Sequence, residues 1–185
     1  MNGQSRTQLT YRAVEGTRKG RVRGYHNDRL AIRLGSGSDI FERGKRGVDH
    51  WKMFQQDWIN LCWHHHKVRV GTVVGVAALH FGLWSLNPCR VVYVVDEPGL
   101  FGFAYGTLAD NVVSGEERFT VEWRPDDSVW YEIRSFSRPR HWLAWLAYPL
   151  TRLAQKRFAR GSLKAMLEAL VEQAQEPYSP FGSSQ

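Results

Sequence analysis

The sequence predicts an α+β fold in which an antiparallel β meander is followed by one long helix. Two observations carry that prediction. Between Pro88 and Pro139 stand four short runs, Cys89 to Val95, Gly102 to Thr107, Glu117 to Trp123 and Val129 to Phe136. Each is rich in β-branched and aromatic residues and bounded by Pro, Gly, Asp or Asn, the composition of consecutive strands. From His141 to about Ala174 the β signal disappears, and apolar residues recur through Trp142, Leu146, Leu150 and Leu153, then Ala159, Leu163, Met166 and Leu170. That spacing is helical.

Ahead of the meander, Leu9 to Val14 reads as an edge strand and Glu15 to Asn27, polar and basic, as a surface loop. Leu30 to Leu34 is a short apolar run. It ends at Gly35-Ser36-Gly37-Ser38-Asp39, where a helix is expected to begin with Asp39 as N-cap and Glu42 as its capping-box partner. Phe41, Val48, Trp51, Phe54 or Gln55, and Trp58 then recur at helical spacing, with Gly44 in the same stripe. Val68 to Val76 reads as a strand whose glycines can bend or bulge it, and Ala77 to Leu86 as its extension or an irregular turn. Pro149 implies either a kink in the C-terminal helix or a short helix before the long one. Glu176 to Gln185 is expected to fray.

The 185 residues hold 43% hydrophobic and 13% aromatic residues, eight of them Trp, which excludes an intrinsically disordered chain. No low-complexity linker divides them, so residues 1–185 are expected to form a single domain with a core over about 9–172 and polar tails. The net charge of +7 favours anionic partners without specifying one. Cys62 and Cys89 are too few for a disulfide framework or a zinc site and are expected as free, mostly buried thiols in a reducing compartment. The polar stretch Met1 to Thr10 has no signal-peptide core. The apolar run Val70 to Leu86, interrupted by glycines and His80, falls short of the roughly 20 residues of a membrane span. The expected location is the cytoplasm.

Strand alternation gives the sharpest functional inference. It puts Glu117 on the face of Phe119, Val121 and Trp123, with Arg118, Thr120 and Glu122 opposite. By the same rule Thr107 and Tyr105 share a face with Phe103 and Phe101. A hairpin closed by the loop Leu108 to Glu116 would bring Thr107 close to Glu117 and gather a carboxylate, a hydroxyl and a phenol at one end of an apolar wall, the make-up of a small-molecule pocket. Tyr105, Thr107 and Glu117 are therefore candidates to orient a ligand, with Trp51, Phe54, Tyr93, Phe103, Phe119 and Tyr131 as its apolar surroundings. The simpler placement, favoured because carboxylates are seldom buried unpaired, puts Glu117 at the rim, exposed or tied to loop amides.

Other motifs point to less. Three adjacent residues, His64, His65 and His66, cannot converge on one ion from a strand and have no carboxylate or thiol completing a set, so a solvated loop is expected. No metal or cofactor is expected. Gly35 and Gly37 before a helix can bind anions, but without a Walker lysine they read as a turn. Arg152, Lys156, Arg160 and Lys164 repeat every four residues, reinforced by Arg157, and form a basic ridge on the C-terminal helix. The ridge reads first as a solvated face, and second as a surface for nucleic acid or an anionic membrane. No nucleophile elbow, triad order, paired-cysteine motif or kinase signature is present.

Several pieces, in this order, resemble one bacterial and plant family, domain of unknown function 1990. They are Leu9-Thr10-Tyr11, Gly24-Tyr25, Leu34-Gly35-Ser36-Gly37 followed by Phe41 and Trp51, the run from Pro88 to Glu97, Gly102 to Leu108, Ser114 to Phe119, and Phe136-Ser137-Arg138-Pro139. In the family pattern a Pro-Gly-His run follows the leucine of the central motif, where this chain has Ala109-Asp110-Asn111, so any role of that histidine in relatives has no counterpart here. The resemblance implies a helix-grip fold similar to the Bet v 1 and START-like superfamily, a curved antiparallel sheet gripping the C-terminal helix around a cavity. Three functions follow as expectations. The first is a non-enzymatic binder of a small apolar or amphipathic molecule. The second is an enzyme of the cyclase or hydratase kind, with Glu117 as general acid or base and Tyr105 as hydrogen-bond donor. The third is a module that meets anionic membrane or RNA through the basic ridge.

Overall fold

In the computed structural model, described over residues 8–62, 67–80, 82–111, 113–140, 146 and 148–175, seven strands form one antiparallel sheet. They are β1 (His26–Ser36), β2 (Ile59–Cys62), β3 (Val73–His80), β4 (Leu83–Glu97), β5 (Leu100–Thr107), β6 (Val113–Trp123) and β7 (Ser128–Pro139). Their order is β1-β7-β6-β5-β4-β3-β2. The helices are a single turn, α1 (Gly16–Lys19), then α2 (Ser38–Asp49) and the long α3 (Tyr148–Gln175). β3 to β7 follow one another as hairpins, each pairing with the strand before it. The meander thus takes in the strand expected before the four runs, here β3, and α3 lies across its inner face against β1, β7 and α2.

Alternation decides what α3 covers. Phe103, Phe119, Val121, Val129 and Tyr131 point inward from β5, β6 and β7 and are almost wholly buried. Burying each such side chain stabilises the fold by roughly 1.5–3 kcal/mol. Met166 and Phe158 of α3 join this core, and Phe54 meets Phe119 edge to face at 5.5 Å and Phe158 at a tilt at 5.2 Å. Tyr131 ties sheet to helix through a 2.8 Å hydrogen bond with Ser162.

Several local expectations are corrected. Asp39 does not cap α2. The helix starts two residues earlier than expected, at Ser38, so Asp39 lies in its first turn and pairs with Arg43 at 2.7 Å. Gly37 is the N-cap instead, at φ 87°, a left-handed conformation that glycine adopts without a Cβ penalty, and its amide donates to the Asp127 carbonyl at 3.0 Å. The aromatic stripe is not one helix. α2 ends at Asp49, Trp51 takes a left-handed conformation at φ 59°, and a single 3-10 turn, Lys52–Phe54, follows. Trp51 is buried nonetheless, its ring 4.6 Å from that of Phe103. The strand expected at Val68 begins only at Val73, and β2, with just four residues, was not anticipated. Pro149 is the second residue of α3 as described, Tyr148–Gln175, and the short helix expected before it falls on residues 141–147, of which only Leu146 is among the described residues.

The N-terminal region departs furthest from expectation. Leu9 makes one isolated bridge to Leu108 rather than an edge strand. Residues 15–19 are not a loop in solvent but a helical turn packed on the outer face of β6 and β7, with Gly16 and Thr17 buried. Tyr11 lies beneath it over Gly106, where a Cβ would collide with the tyrosine hydroxyl, so only glycine admits that ring. Among the described residues no helix is long and apolar enough to cross a membrane. Cys62 and Cys89 are free, the second buried.

Candidate functional site

Between the inner face of the sheet and the first half of α3 lies a half-open cleft of about 470 Å³. Leu30 and Ile133 from β1 and β7, Val76 and Ala78 from β3, and Phe158 and Ala159 from α3 supply apolar walls. The aromatic cluster around Trp51, Phe54, Phe103, Phe119 and Tyr131 fills the other half of the space under the helix and closes that end. Polar groups gather where the cluster stops. Tyr105, Cys89, Thr107 and Glu117 come from β4, β5 and β6, and Asp28 and Arg152 from β1 and α3.

Tyr105 and Glu117 are direct partners across β5 and β6, and the phenol donates to the carboxylate Oε2 at 2.7 Å. Glu117 therefore does not sit exposed at the rim. It keeps some accessible surface because it faces the cleft, yet protein encloses the carboxyl group. That burial pushes its pKa up to about 7; the Tyr105 hydrogen bond pulls it down, and the charge of nearby Asp28 adds to the rise. The same burial, with Glu117 beside it, holds the Tyr105 phenol well above its ordinary range. Cys89 is likewise pushed up by burial and by Glu117, so its thiol stays protonated.

The remaining candidates divide. Thr107 lines the cleft, but its hydroxyl accepts from the Gly115 amide at 3.0 Å and also bonds Thr10, so it fastens β5 to β6 and the N-terminal segment. Trp51, Phe54, Phe103, Phe119 and Tyr131 pack the core next to the cleft. Tyr93 does not belong with them. A bulge between Val91 and Tyr93 shifts the register of β4 and turns Tyr93 to the outer face, where its hydroxyl meets Thr17 at 2.6 Å.

Of the basic ridge, Arg152 is withdrawn from solvent: its guanidinium grips both oxygens of Asp28 at 2.5 and 2.6 Å beside the cleft. Lys156, Arg160 and Lys164 are exposed, and Arg157 is exposed while its guanidinium lies 4.4 Å over the Trp58 ring. Lys164 also pairs with Glu168 at 3.4 Å. His64 to His66, Trp142 and Trp145 lie outside the described residues. Among the described residues no group of three or more His, Cys, Asp or Glu is placed to hold a metal ion. Asn111 is buried on the cleft wall with its amide nitrogen 4.0 Å from the Cys89 sulfur.

The sequence reading overlooked Glu116. Adjacent residues of a strand face opposite ways, so if Glu117 points in, Glu116 must point out. There it is buried and accepts from the Tyr11 hydroxyl at 2.8 Å, the Glu15 and Thr17 amides at 2.9 and 3.0 Å, and the Thr17 hydroxyl. It anchors the N-terminal segment. The alternation that was applied to Glu117 contained this signal, but nothing in the local sequence named the donors.

Residues 10–165 match the profile of the family described as domain of unknown function 1990, DUF1990. The chain belongs to this family. Its DUF1990 relatives include a UPF0548 protein of Dictyostelium discoideum, 39% identical over 155 residues that cover 77% of this chain and 72% of the relative. Another is the UPF0548 protein At2g17695 of Arabidopsis thaliana, 36% identical over 151 residues that cover 78% and 73%. Solved structures place this DUF1990 chain in the Bet v 1-like, helix-grip class. Ara h 8.0201 superposes with a TM-score of 0.54 at 14% identity over 80% of this chain and 99% of its own. TTHA0849 of Thermus thermophilus superposes with a TM-score of 0.60 at 10% identity over 81% and 100%. At such identities the likeness is one of fold.

Proposed function

We propose that the protein binds a small apolar or amphipathic molecule in the cleft, with Glu117 and Tyr105 meeting the polar end of the ligand and the apolar walls its body. The observation that carries this reading is a buried carboxylate with one phenol partner, aimed into a cleft that is otherwise mainly apolar. A carboxylate so placed loses hydration without full compensation, and a ligand donor restores what is missing. The cleft volume lies within the range of roughly 300–1,000 Å³ common to small-molecule sites. Folds of this type commonly hold ligands, although a fold by itself supplies no function. Native mass spectrometry of the protein purified from its own host, with extraction and identification of what it carries, tests the reading. A stoichiometric amphipathic molecule supports it. An empty protein that also ignores a broad lipid and metabolite panel overturns it.

A second reading rests on the pKa of Glu117. A carboxyl group that titrates near 7 is half-protonated at neutral pH and can both give and take a proton, the property required of a general acid or base. Tyr105 would then hold a carbonyl or hydroxyl of the substrate. Turnover of the extracted ligand by the wild type and not by Glu117→Gln distinguishes this from simple binding.

A further inference from the structure

The mouth of the cleft carries an apolar rim that none of the described residues covers. β4 extends past the end of β5, so the β3–β4 hairpin projects beyond the body of the sheet. At its tip Leu83 and Trp84 are 76% and 58% exposed, and Leu86 is exposed just below them. On the other side of the opening Leu150 and Leu153, in the first turns of α3, are 56% and 63% exposed. Leu86 and Leu150 both border the cleft, so the hairpin and α3 stand at one opening; Leu83 pairs with His80 on the cleft face of the hairpin, and Trp84 and Leu86 pair with Leu79 and Ala77 on its outer face, so the tip is apolar on both sides. Behind the leucines α3 presents exposed Lys156, Arg157 and Arg160, and residues 148–167 contain no carboxylate.

From this arrangement we infer that the mouth of the cleft docks on an anionic lipid bilayer, with the hairpin tip and the leucines of α3 entering the interface and the three cations meeting lipid phosphates. Exposed Leu and Trp backed by Lys and Arg is the composition of surfaces that lie in the bilayer interface. Self-association explains the rim less well. In a two-fold dimer the patch would face its own copy and bring like charges together without a single acidic partner on that stretch of α3 across the contact. An anionic headgroup layer removes that repulsion. Resting on the proposed ligand reading, the docking also narrows the ligand class: an amphiphile dissolved in the bilayer enters the cleft directly from the lipid, and its polar end reaches Glu117 without crossing water.

Co-sedimentation of the full chain with phosphatidylserine–phosphatidylcholine vesicles, against phosphatidylcholine alone, tests the docking. Binding to the anionic vesicles is expected, weakening with salt, and about fivefold weaker for each cation removed among Lys156, Arg157 and Arg160. The double variant Leu83→Ser, Trp84→Ser is expected to lose about tenfold or more, while Val171→Ser, exposed at the far end of α3, binds as the wild type. Circular dichroism confirms that each variant is folded. Absence of binding to anionic vesicles overturns the inference, as does binding untouched by the hairpin substitutions. A wild-type dimer in sedimentation velocity that those substitutions disperse, without vesicle binding, assigns the rim to a second copy and overturns it too. Anilinonaphthalene sulfonate in the absence of vesicles reads the cleft separately. If the probe is indifferent to Ala154→Trp, which narrows the cleft, while vesicle binding persists, the ligand reading fails and the docking stands.

Discussion

Tyr105 and Glu117 face each other at directly paired positions of β5 and β6, and the phenol donates to the carboxylate at 2.7 Å. One hydrogen bond is less than a buried carboxylate needs, so the pair leaves Glu117 balanced between its charged and neutral forms near pH 7. The measurable behaviour of the cleft follows from that balance.

Stability should fall as pH rises. Because the folded pKa of Glu117 is raised from 4.5 to about 7, the folded state holds more protons than the unfolded state between those values. Its favourable contribution is complete below pH 4.5 and lost as pH passes 7, a change of about 3 kcal/mol. Glu117→Gln, which keeps an acceptor for Tyr105 and carries no charge, should therefore come closest to the wild type near pH ~4 and be about 3 kcal/mol more stable near pH ~8. Urea denaturation at the two pH values reads this directly. Equal stability differences at both would show an ordinary carboxylate.

The neighbours of Glu117 should move its titration in opposite directions. The Tyr105 hydrogen bond lowers its pKa and the Asp28 charge raises it. Tyr105→Phe is thus expected to push the Glu117 midpoint higher by about one unit, a charged hydrogen bond being worth roughly 1.5–3 kcal/mol. Asp28→Asn is expected to bring it down. Carboxyl carbon chemical shifts followed by NMR across the titration report both, and a shift of the same sign in the two variants would contradict this electrostatic picture.

Asp28→Asn carries a second consequence. The Arg152 side chain is largely buried against Asp28, and the pair's two short bonds also hold the guanidinium pKa above its ordinary value. Without the carboxylate, Arg152 stays desolvated with weaker partners, and a loss of roughly 1–2 kcal/mol in unfolding free energy is expected after discounting for solvent on the Asp28 side. Arg152→Met, which removes the cation and keeps much of its bulk, should soften the Asn variant's defect in a double-mutant cycle.

Glu116→Ala should be the more damaging change of the two adjacent glutamates. It strands the buried Thr17 amide and Tyr11 hydroxyl and the half-buried Glu15 amide, and leaves the Thr17 hydroxyl with Tyr93 as its partner. Unsatisfied buried donors cost roughly 1–3 kcal/mol each, so a total of about 3 kcal/mol or more is expected. Limited proteolysis should then cut within residues 8–25 before any other described segment. Gly106→Ala should open the same segment by displacing the Tyr11 ring, at roughly 1–3 kcal/mol for overpacking.

The meander and the long helix were legible because β-branched and aromatic runs between turn residues, and a helical apolar period, are local properties of the chain. That Tyr105, Thr107 and Glu117 share one face was also within reach through alternation, but their register was not: a loop from Leu108 to Glu116 sets Thr107 beside Glu117, whereas β6 begins at Val113 and sets Tyr105 opposite it. Burial of Glu117 was not, because it depends on α3 crossing the sheet at that point. Tyr93 misled for a related reason: a single bulged residue in β4 reverses its face, and no composition signal marks the bulge. The stripe through Trp51 and Phe54 kept a helical period across a chain reversal, so its residues are core although their helix ended at Asp49. The role of residues 8–25 was hidden most deeply, since their partners lie far away in sequence.

That distance has a consequence for how the chain is made. Tyr11 leaves the ribosome 105 residues before Glu116, the group that receives its hydroxyl. Until β6 has been synthesised and paired, the N-terminal segment has no surface on which to settle, and its buried Tyr and Thr stay in water or in the care of a chaperone. Contacts of such long sequence separation form late and slowly. The first described stretch to be translated is thus among the last to find its place, and a nascent chain stalled before β6 would display it unprotected.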